Sequence, residues 1–237
     1  MRFFLVGSIL VFACGACLAA DAGTKAIRII CMGDSITRGI REGVSAEQIY
    51  EAVLQKRLTE SGKTVEVIAS GVGSEATDGA LTRLDQSVLA QKPDYVTIMY
   101  GTNDAYWYPD KAEPYMTIDQ YEANLRELVT RVRAAGSVPV LVTSPPMTFA
   151  LEKITAMSPA YHQNGITFEI QRYVHRIRHV ARQMDVPLVD VYAAYGELAV
   201  AGKNIDEYFT DGCHPNAAGH EMIAEWFDEV FADLLER

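Results

Sequence analysis

The chain has 237 residues, 21 Lys and Arg against 31 Asp and Glu, a formal net charge of −10, and 49% apolar residues. This composition is globular, excludes a wholly disordered chain, and suffices for one domain with a full core. The acid excess argues against a nucleic-acid partner, which calls for a basic face, and permits a neutral substrate.

The N-terminal stretch "MRFFLVGSILVFACGACLAA" holds one charge, Arg2, then an apolar run, then small residues. It reads as a secretory signal peptide over residues 1–22, with Ala20-Asp21-Ala22 as a small-x-small cleavage site. The run is too short for a confident membrane span, so the mature chain is expected to carry no stable one. Cys14 and Cys17, each preceded by Ala, faintly suggest a lipid-attachment site, although Phe12 and Cys14 depart from that pattern. The expected destination is secreted or periplasmic, with a lipoprotein as the variant. Residues 23–237 form the mature domain. Of its two cysteines, Cys31 sits in an apolar run and reads as a small buried thiol; export permits a bridge to Cys213 but does not require one.

Strand-length apolar runs then alternate with helical patterns. "AIRIICM" (26–32) is a strand ended by Gly33, and "AEQIYEAVLQKRLTE" (46–60) a helix stopped near Gly62. "TVEVIAS" (64–70) is a strand ended by Gly71, and "ALTRLDQSVLAQ" (80–91) a helix stopped by Pro93. "YVTIMY" (95–100) leads to Gly101, and "TIDQYEANLRELVTRVRAA" (117–135) is a long amphipathic helix ahead of Gly136. "VPVLVTS" (138–144) is a fourth strand, residues 145–165 a long lid or wall, and 167–184 a helix. "VPLVDV" (186–191) is a fifth, short strand, and 215–236 the closing helix. Helical crossovers between strands imply a parallel sheet, and near-continuous Val/Ile runs imply burial on both faces. The predicted fold is a three-layer α/β/α sandwich of about five parallel strands. Active residues should then lie just past the strand carboxyl ends: Gly33 to Ser35, Gly71 to Thr77, Gly101 to Asp104, and the loop leading to His214.

Each of these places carries a residue with chemistry to offer. Ser35, in "GDSIT", stands where a sharp turn into a helix can project a hydroxyl; the plainer reading is a helix cap. The G-x-S-x-G elbow is absent, since Thr37 replaces its second glycine. Asn103, in "GTND", is either a turn residue or a side-chain donor to an oxyanion. In "DGCHP", Asp211 can fold back on His214 and fix its tautomer, while Pro215 suits a first helical position. His175 and His179 share a helix face, but no third ligand is evident among the arginines around them, so no metal is expected. His162 and His220 have no carboxylate at a telling spacing. "GVGSEA" (71–76) formally fits a dinucleotide fingerprint, yet it follows the second strand, and Glu75 and Asp78 put acid where phosphate would sit.

Taken together, Ser35 in "GDS", the turn Gly71 to Ser74, Asn103 in "GTND", and Asp211 with His214 in "DGCHP" resemble the GDSL, or SGNH, hydrolase family, in that family's order over nearly the whole mature chain. The resemblance implies a flavodoxin-like fold and ester hydrolysis without cofactor or metal. It implies Ser35 as nucleophile, His214 as base and Asp211 as its orienter. Oxyanion donors would be the Ser35 amide, the Asn103 side chain and a backbone amide from the second segment. Ungapped alignment puts Ser74 at that last position, where the family has glycine; Gly73 stands one residue early, and Ala69 replaces the family's preceding Asn. A backbone N–H serves from any residue but proline, yet a position needing positive φ would strain Ser74 and favour Gly73.

Tyr106, Trp107 and Tyr108 follow "GTND" directly, and aromatic faces suit sugar rings as well as plain packing. The expected reaction is deacetylation of carbohydrate or other small acyl esters, the partner being a small-molecule or polysaccharide ester. A lysophospholipase or thioesterase on longer chains would need an apolar groove, for which Met147 to Leu151 are candidates. A non-catalytic carbohydrate-binding protein would have no use for Ser35, Asn103, Asp211 and His214 together, and a flavodoxin-like nucleotide or flavin binder would call for a basic phosphate clamp that the sequence lacks.

Overall fold

The computed structural model describes residues 25–148 and 165–236. The expected signal peptide, most of the 145–165 segment and His162 lie outside the described residues. Five strands, β1 (Ile27–Gly33), β2 (Val65–Gly71), β3 (Tyr95–Met99), β4 (Val138–Val142) and β5 (Leu188–Val189), form one parallel sheet in the order β2-β1-β3-β4-β5. Around it run α1 (Ser35–Arg38), α2 (Tyr50–Glu60), α3 (Thr77–Arg83), α4 (Ile118–Ala134), α5 (Ile166–Met184), α6 (Val191–Val200) and α7 (Ala217–Leu234). This is the expected α/β/α sandwich. No helix among the described residues is long and apolar enough to cross a membrane.

The central strand explains the unbroken apolar run. Ile30 and Met32 enter the cluster formed with α3, α4 and α5, while Ile29 and Cys31 enter the one formed with α2, α6 and α7. All four are fully buried. Burial of an aliphatic side chain of this size is worth about 1.5–3 kcal/mol, so a polar residue anywhere in the run would be costly. Pro139 fits inside β4 for a reason of register. Val138 N–H donates to Asp94 O and Leu141 N–H to Pro187 O, on opposite sides. By alternation the missing N–H of Pro139 faces the β5 side, before β5 begins.

Several boundaries differ from expectation, each for a local or long-range cause. α2 starts at Tyr50, not at residue 46, because Ser45 and Gln48 close a turn on each other and Ile49 is extended. α3 starts at Thr77, not at residue 80. Asp104 Oδ1, far along the chain, accepts from Thr77 N–H at 3.0 Å and from its hydroxyl at 2.6 Å, serving as a remote cap. The helix does not run on regularly to residue 91: a π turn (Leu84–Val88) and a 3₁₀ turn (Leu89–Gln91) follow. β5 ends at Val189, where Asp190 caps α6 by accepting from Ala193 N–H at 3.2 Å. Pro215 is not the first residue of the last helix; it bridges to Phe209, and Asn216 caps α7 by accepting from Gly219 N–H at 3.1 Å.

Candidate active site

With strand order 2-1-3, the chain departs from β1 to either side, and the crevice between the carboxyl ends of β1 and β3 is the expected ligand position. The segments "GDS" and "GTND" end there. Gly33 and Gly71 allow it. A Cβ on Gly33 would stand 2.1 Å from Thr37 Oγ1, and one on Gly71 2.1 Å from Arg38 N, so α1 rides directly on the strand ends. Asp34 caps α1 by accepting from Ile36 N–H at 2.8 Å. The cap reading of "GDS" thus belongs to Asp34, which frees Ser35 to present its hydroxyl.

Ser35 Oγ lies 2.9 Å from His214 Nε2, although 179 residues separate them. His214 Nδ1 lies 2.7 Å from Asp211 Oδ2. Asp211 Oδ1 accepts from the Cys213 and His214 amides at 3.0 and 2.8 Å, so the three-residue turn folds the carboxylate back as expected. Burial raises the Asp211 pKa, but the His214 ring and the two amides outweigh it and hold the carboxyl below its ordinary value. Burial lowers the His214 pKa; Asp211 opposes this, while Arg41 and Arg38 act with burial, and the balance is below the ordinary imidazole value. A neutral ring with N–H on Nδ1 and a lone pair facing the serine is the consistent state.

Asn103 is held from two sides, its Nδ2 donating to Glu75 O at 3.0 Å and to Asp34 Oδ2 at 3.2 Å. Burial pushes the Asp34 carboxyl up to about 7, partly offset by the Ile36 amide. Ser74 takes φ 60°, so this position does demand the left-handed region, and serine occupies it. Ser74 and Asn103 together line a recess of about 200 Å³ with Tyr106, Tyr108 and Tyr115. Gly73 does not line it; it lies under the Arg38 guanidinium. Cys31 and Cys213 are free and buried, and burial pushes both thiols up. His175 and His179 lie exposed on α5. His220 is a core residue, its Nδ1 accepting from Tyr50 N–H at 3.2 Å, and burial pushes its pKa down to about 4.

Two sets of residues around the site escaped sequence reasoning. Arg41 donates to Ser35 O at 3.1 Å and Gly39 O at 3.3 Å, tying the turn down. Arg83 binds Glu75 through Nε at 2.8 and 2.9 Å, Ser70 Oγ and O at 2.8 and 2.7 Å, and Tyr100 Oη at 3.1 Å. Tyr100 in turn donates to Glu75 Oε2 at 2.5 Å. This knot fastens the β2-exit loop that carries Ser74 and the carbonyl holding Asn103. The only trace in sequence was Glu75 and Arg83 eight residues apart, a spacing that predicts nothing before the loop is folded.

A doubly wound parallel sheet with hydroxyl, imidazole and carboxylate in hydrogen-bond contact at its switch point is an arrangement suited to hydrolysis. Residues 31–222 match the GDSL-like Lipase/Acylhydrolase family, and the chain belongs to that family, among carboxylic ester hydrolases. The acetylxylan esterase of Geobacillus stearothermophilus is 28% identical over 220 residues, covering 84% of this chain and 91% of that one. The Bacillus subtilis (strain 168) protein called "Uncharacterized lipoprotein YqeF" is 27% identical over 236 residues, covering 94% and 92%. The crystal structure of a lipase/acylhydrolase from Enterococcus faecalis shares the fold at TM-score 0.71 and 23% identity, covering 88% and 96%.

Proposed function

We propose that the chain hydrolyses small acyl esters through an acyl-enzyme, with Ser35 as nucleophile, His214 as base and Asp211 as orienter. The supporting observation is the relay itself, 2.9 Å from hydroxyl to ring and 2.7 Å from ring to carboxylate. A serine hydroxyl at its ordinary pKa needs such a base. His214 Nε2 takes the Ser35 proton as Oγ bonds to the ester carbonyl carbon. The oxyanion is bound by the amides of Ser35 and Ser74, neither of which has a hydrogen-bond partner among the described residues, and by Asn103 Nδ2. Asn103 keeps its shorter bond to Glu75 O and exchanges the longer one, to Asp34, for the oxyanion. His214 returns the proton to the leaving alcohol, then takes one from water as that water attacks the acyl-enzyme. Collapse of that second tetrahedral intermediate breaks the Ser35 Oγ–acyl bond and releases the carboxylic acid, while His214 passes the proton to Ser35 Oγ.

The preferred substrate is an acetylated carbohydrate. Tyrosines beside Asn103 support this, as does the likeness to a protein named acetylxylan esterase. Wild type should release acetate from p-nitrophenyl acetate and acetylated xylan, and Ser35→Ala should lose nearly all of it. Equal rates for the two proteins would end the proposal. A C2 to C16 ester series tests chain length: a maximum at long chains would transfer the assignment to lysophospholipase or thioesterase action. Residues 1–22 are proposed as an export signal, supported by the same segment composition and by the relative named as a lipoprotein. Mass spectrometry of the mature N-terminus would locate cleavage, and an intact Met1 would refute it.

A further inference from the structure

The β3-exit loop makes an excursion with a built base. Tyr106 N–H donates to Asn103 O at 3.2 Å, Met116 N–H to Asp104 O at 3.0 Å, and Tyr115 N–H to Tyr106 O at 2.8 Å. The excursion is therefore tied to the turn that carries Asn103. Its tyrosines pack edge to face, Tyr106 to Tyr108 at 5.0 Å and Tyr108 to Tyr115 at 6.4 Å between centroids. Tyr115 is fixed further by donating its hydroxyl to Asp78 Oδ2 at 3.0 Å. Yet Tyr108 and Tyr115 remain 46% and 48% exposed. They form a shared wall. On one side is the recess of about 200 Å³ with Ser74 and Asn103; on the other is an open recess of about 600 Å³ with Asp110, Lys111, Glu113 and Pro114.

We infer that this outer recess is a second carbohydrate subsite, and that the substrate is a neutral acetylated oligosaccharide rather than a single acetylated sugar. The inference rests on the ester-hydrolase reading of the adjoining site. An acyl chain is poorly served here: the recess is open to water, and its tyrosines share the lining with Asp110, Lys111 and Glu113, while Asp78 stands beyond it at the Tyr115 hydroxyl. A sugar ring suits both features. Its C–H face lies on the electron-rich tyrosine face, and its hydroxyls donate to the carboxylates. The charge on the rim also decides the sign of the partner. Lys111 is paired with Asp110 at 3.3 Å, which leaves Glu113 and Asp78 in excess. A uronate chain would meet net repulsion. The arginines near the hydroxyl, Arg38 and Arg41, line neither recess. Holding a neighbouring sugar in the outer recess fixes the acetylated one at Ser35, which gives the two exposed tyrosines a role.

The test compares kcat/KM for acetylated methyl xyloside, peracetylated xylotriose and p-nitrophenyl acetate. Wild type should favour the trisaccharide over the monosaccharide by roughly tenfold. Tyr108→Ala and Tyr115→Ala should each lower the ratio of trisaccharide to p-nitrophenyl acetate turnover by roughly three- to tenfold, the scale of losing one aromatic face, and mainly through KM. Tyr108→Phe, which keeps the ring, should retain the ratio. A wild type indifferent to sugar number, or variants that lose both substrates in parallel, would overturn the subsite while leaving the esterase standing. If wild type hydrolyses none of the three, it is the esterase reading that falls, and the subsite with it.

Discussion

Arg83→Met removes a cation from a part-buried cluster whose acidic partner is mostly shielded from water, and its cost follows from that. The Arg83 side chain is 16% exposed and the Glu75 side chain 9%. With Arg83 gone, the Glu75 carboxylate keeps Tyr100 Oη and loses its counter-charge, while Ser70 O and Oγ lose donors. Breaking one side of a buried pair costs about 3–5 kcal/mol. For a domain of this length each kcal/mol is worth roughly 2–4 °C, so the midpoint of thermal unfolding should fall by about 10 °C. Glu75→Gln in the same chain removes the stranded charge and should restore part of the loss, giving a coupling of at least ~1.5 kcal/mol in the double-mutant cycle. Turnover of p-nitrophenyl acetate should fall through kcat with KM nearly kept, because the Glu75 carbonyl orients Asn103 and the same loop carries Ser74. Circular dichroism melts and initial rates read both effects. If the single variant is no less stable than the double, or if KM alone changes, the knot does not hold the site as argued.

Asp211→Asn keeps the turn but reverses the tautomer preference of His214, and kcat should fall roughly 10³–10⁴-fold with the melting midpoint nearly unchanged; a loss under tenfold contradicts the role. With neutral His214 as the proposed base and burial lowering its pKa, kcat/KM should rise with pH through a midpoint below the ordinary imidazole value of about 6.5. A midpoint above that value in a pH–rate profile would reverse the argument. Ser74→Gly keeps the amide and suits φ 60°, so kcat should stay within about threefold, whereas Ser74→Val forces a β-branched side chain into that region and should cost roughly 1 kcal/mol or more in denaturant melts. Should glycine at position 74 prove as damaging as valine, it is the hydroxyl that matters and the backbone-donor assignment is wrong.

Pattern along the chain was enough for the sheet. Runs such as "RIICM" and "VTIMY" have to be covered on both faces, and helices between them leave only parallel pairing, which in turn puts Ser35 and Asn103 just past strand ends, with His214 reaching them from the loop ahead of α7. The turn from Asp211 to His214 was equally local, since three residues suffice to bring carboxylate to ring. What depended on folding were contacts between distant segments. Asp104 caps α3 at Thr77, 27 residues earlier, and so moves a boundary that propensity put elsewhere. Arg83 meets Tyr100 and Ser70 only after β2 and β3 flank β1. Ser74 accepts a backbone conformation glycine would favour, because the loop around it is clamped. In each case the deciding energy is a hydrogen bond or ion pair whose partners meet only once the strands are assembled, so spacing along the chain does not announce it.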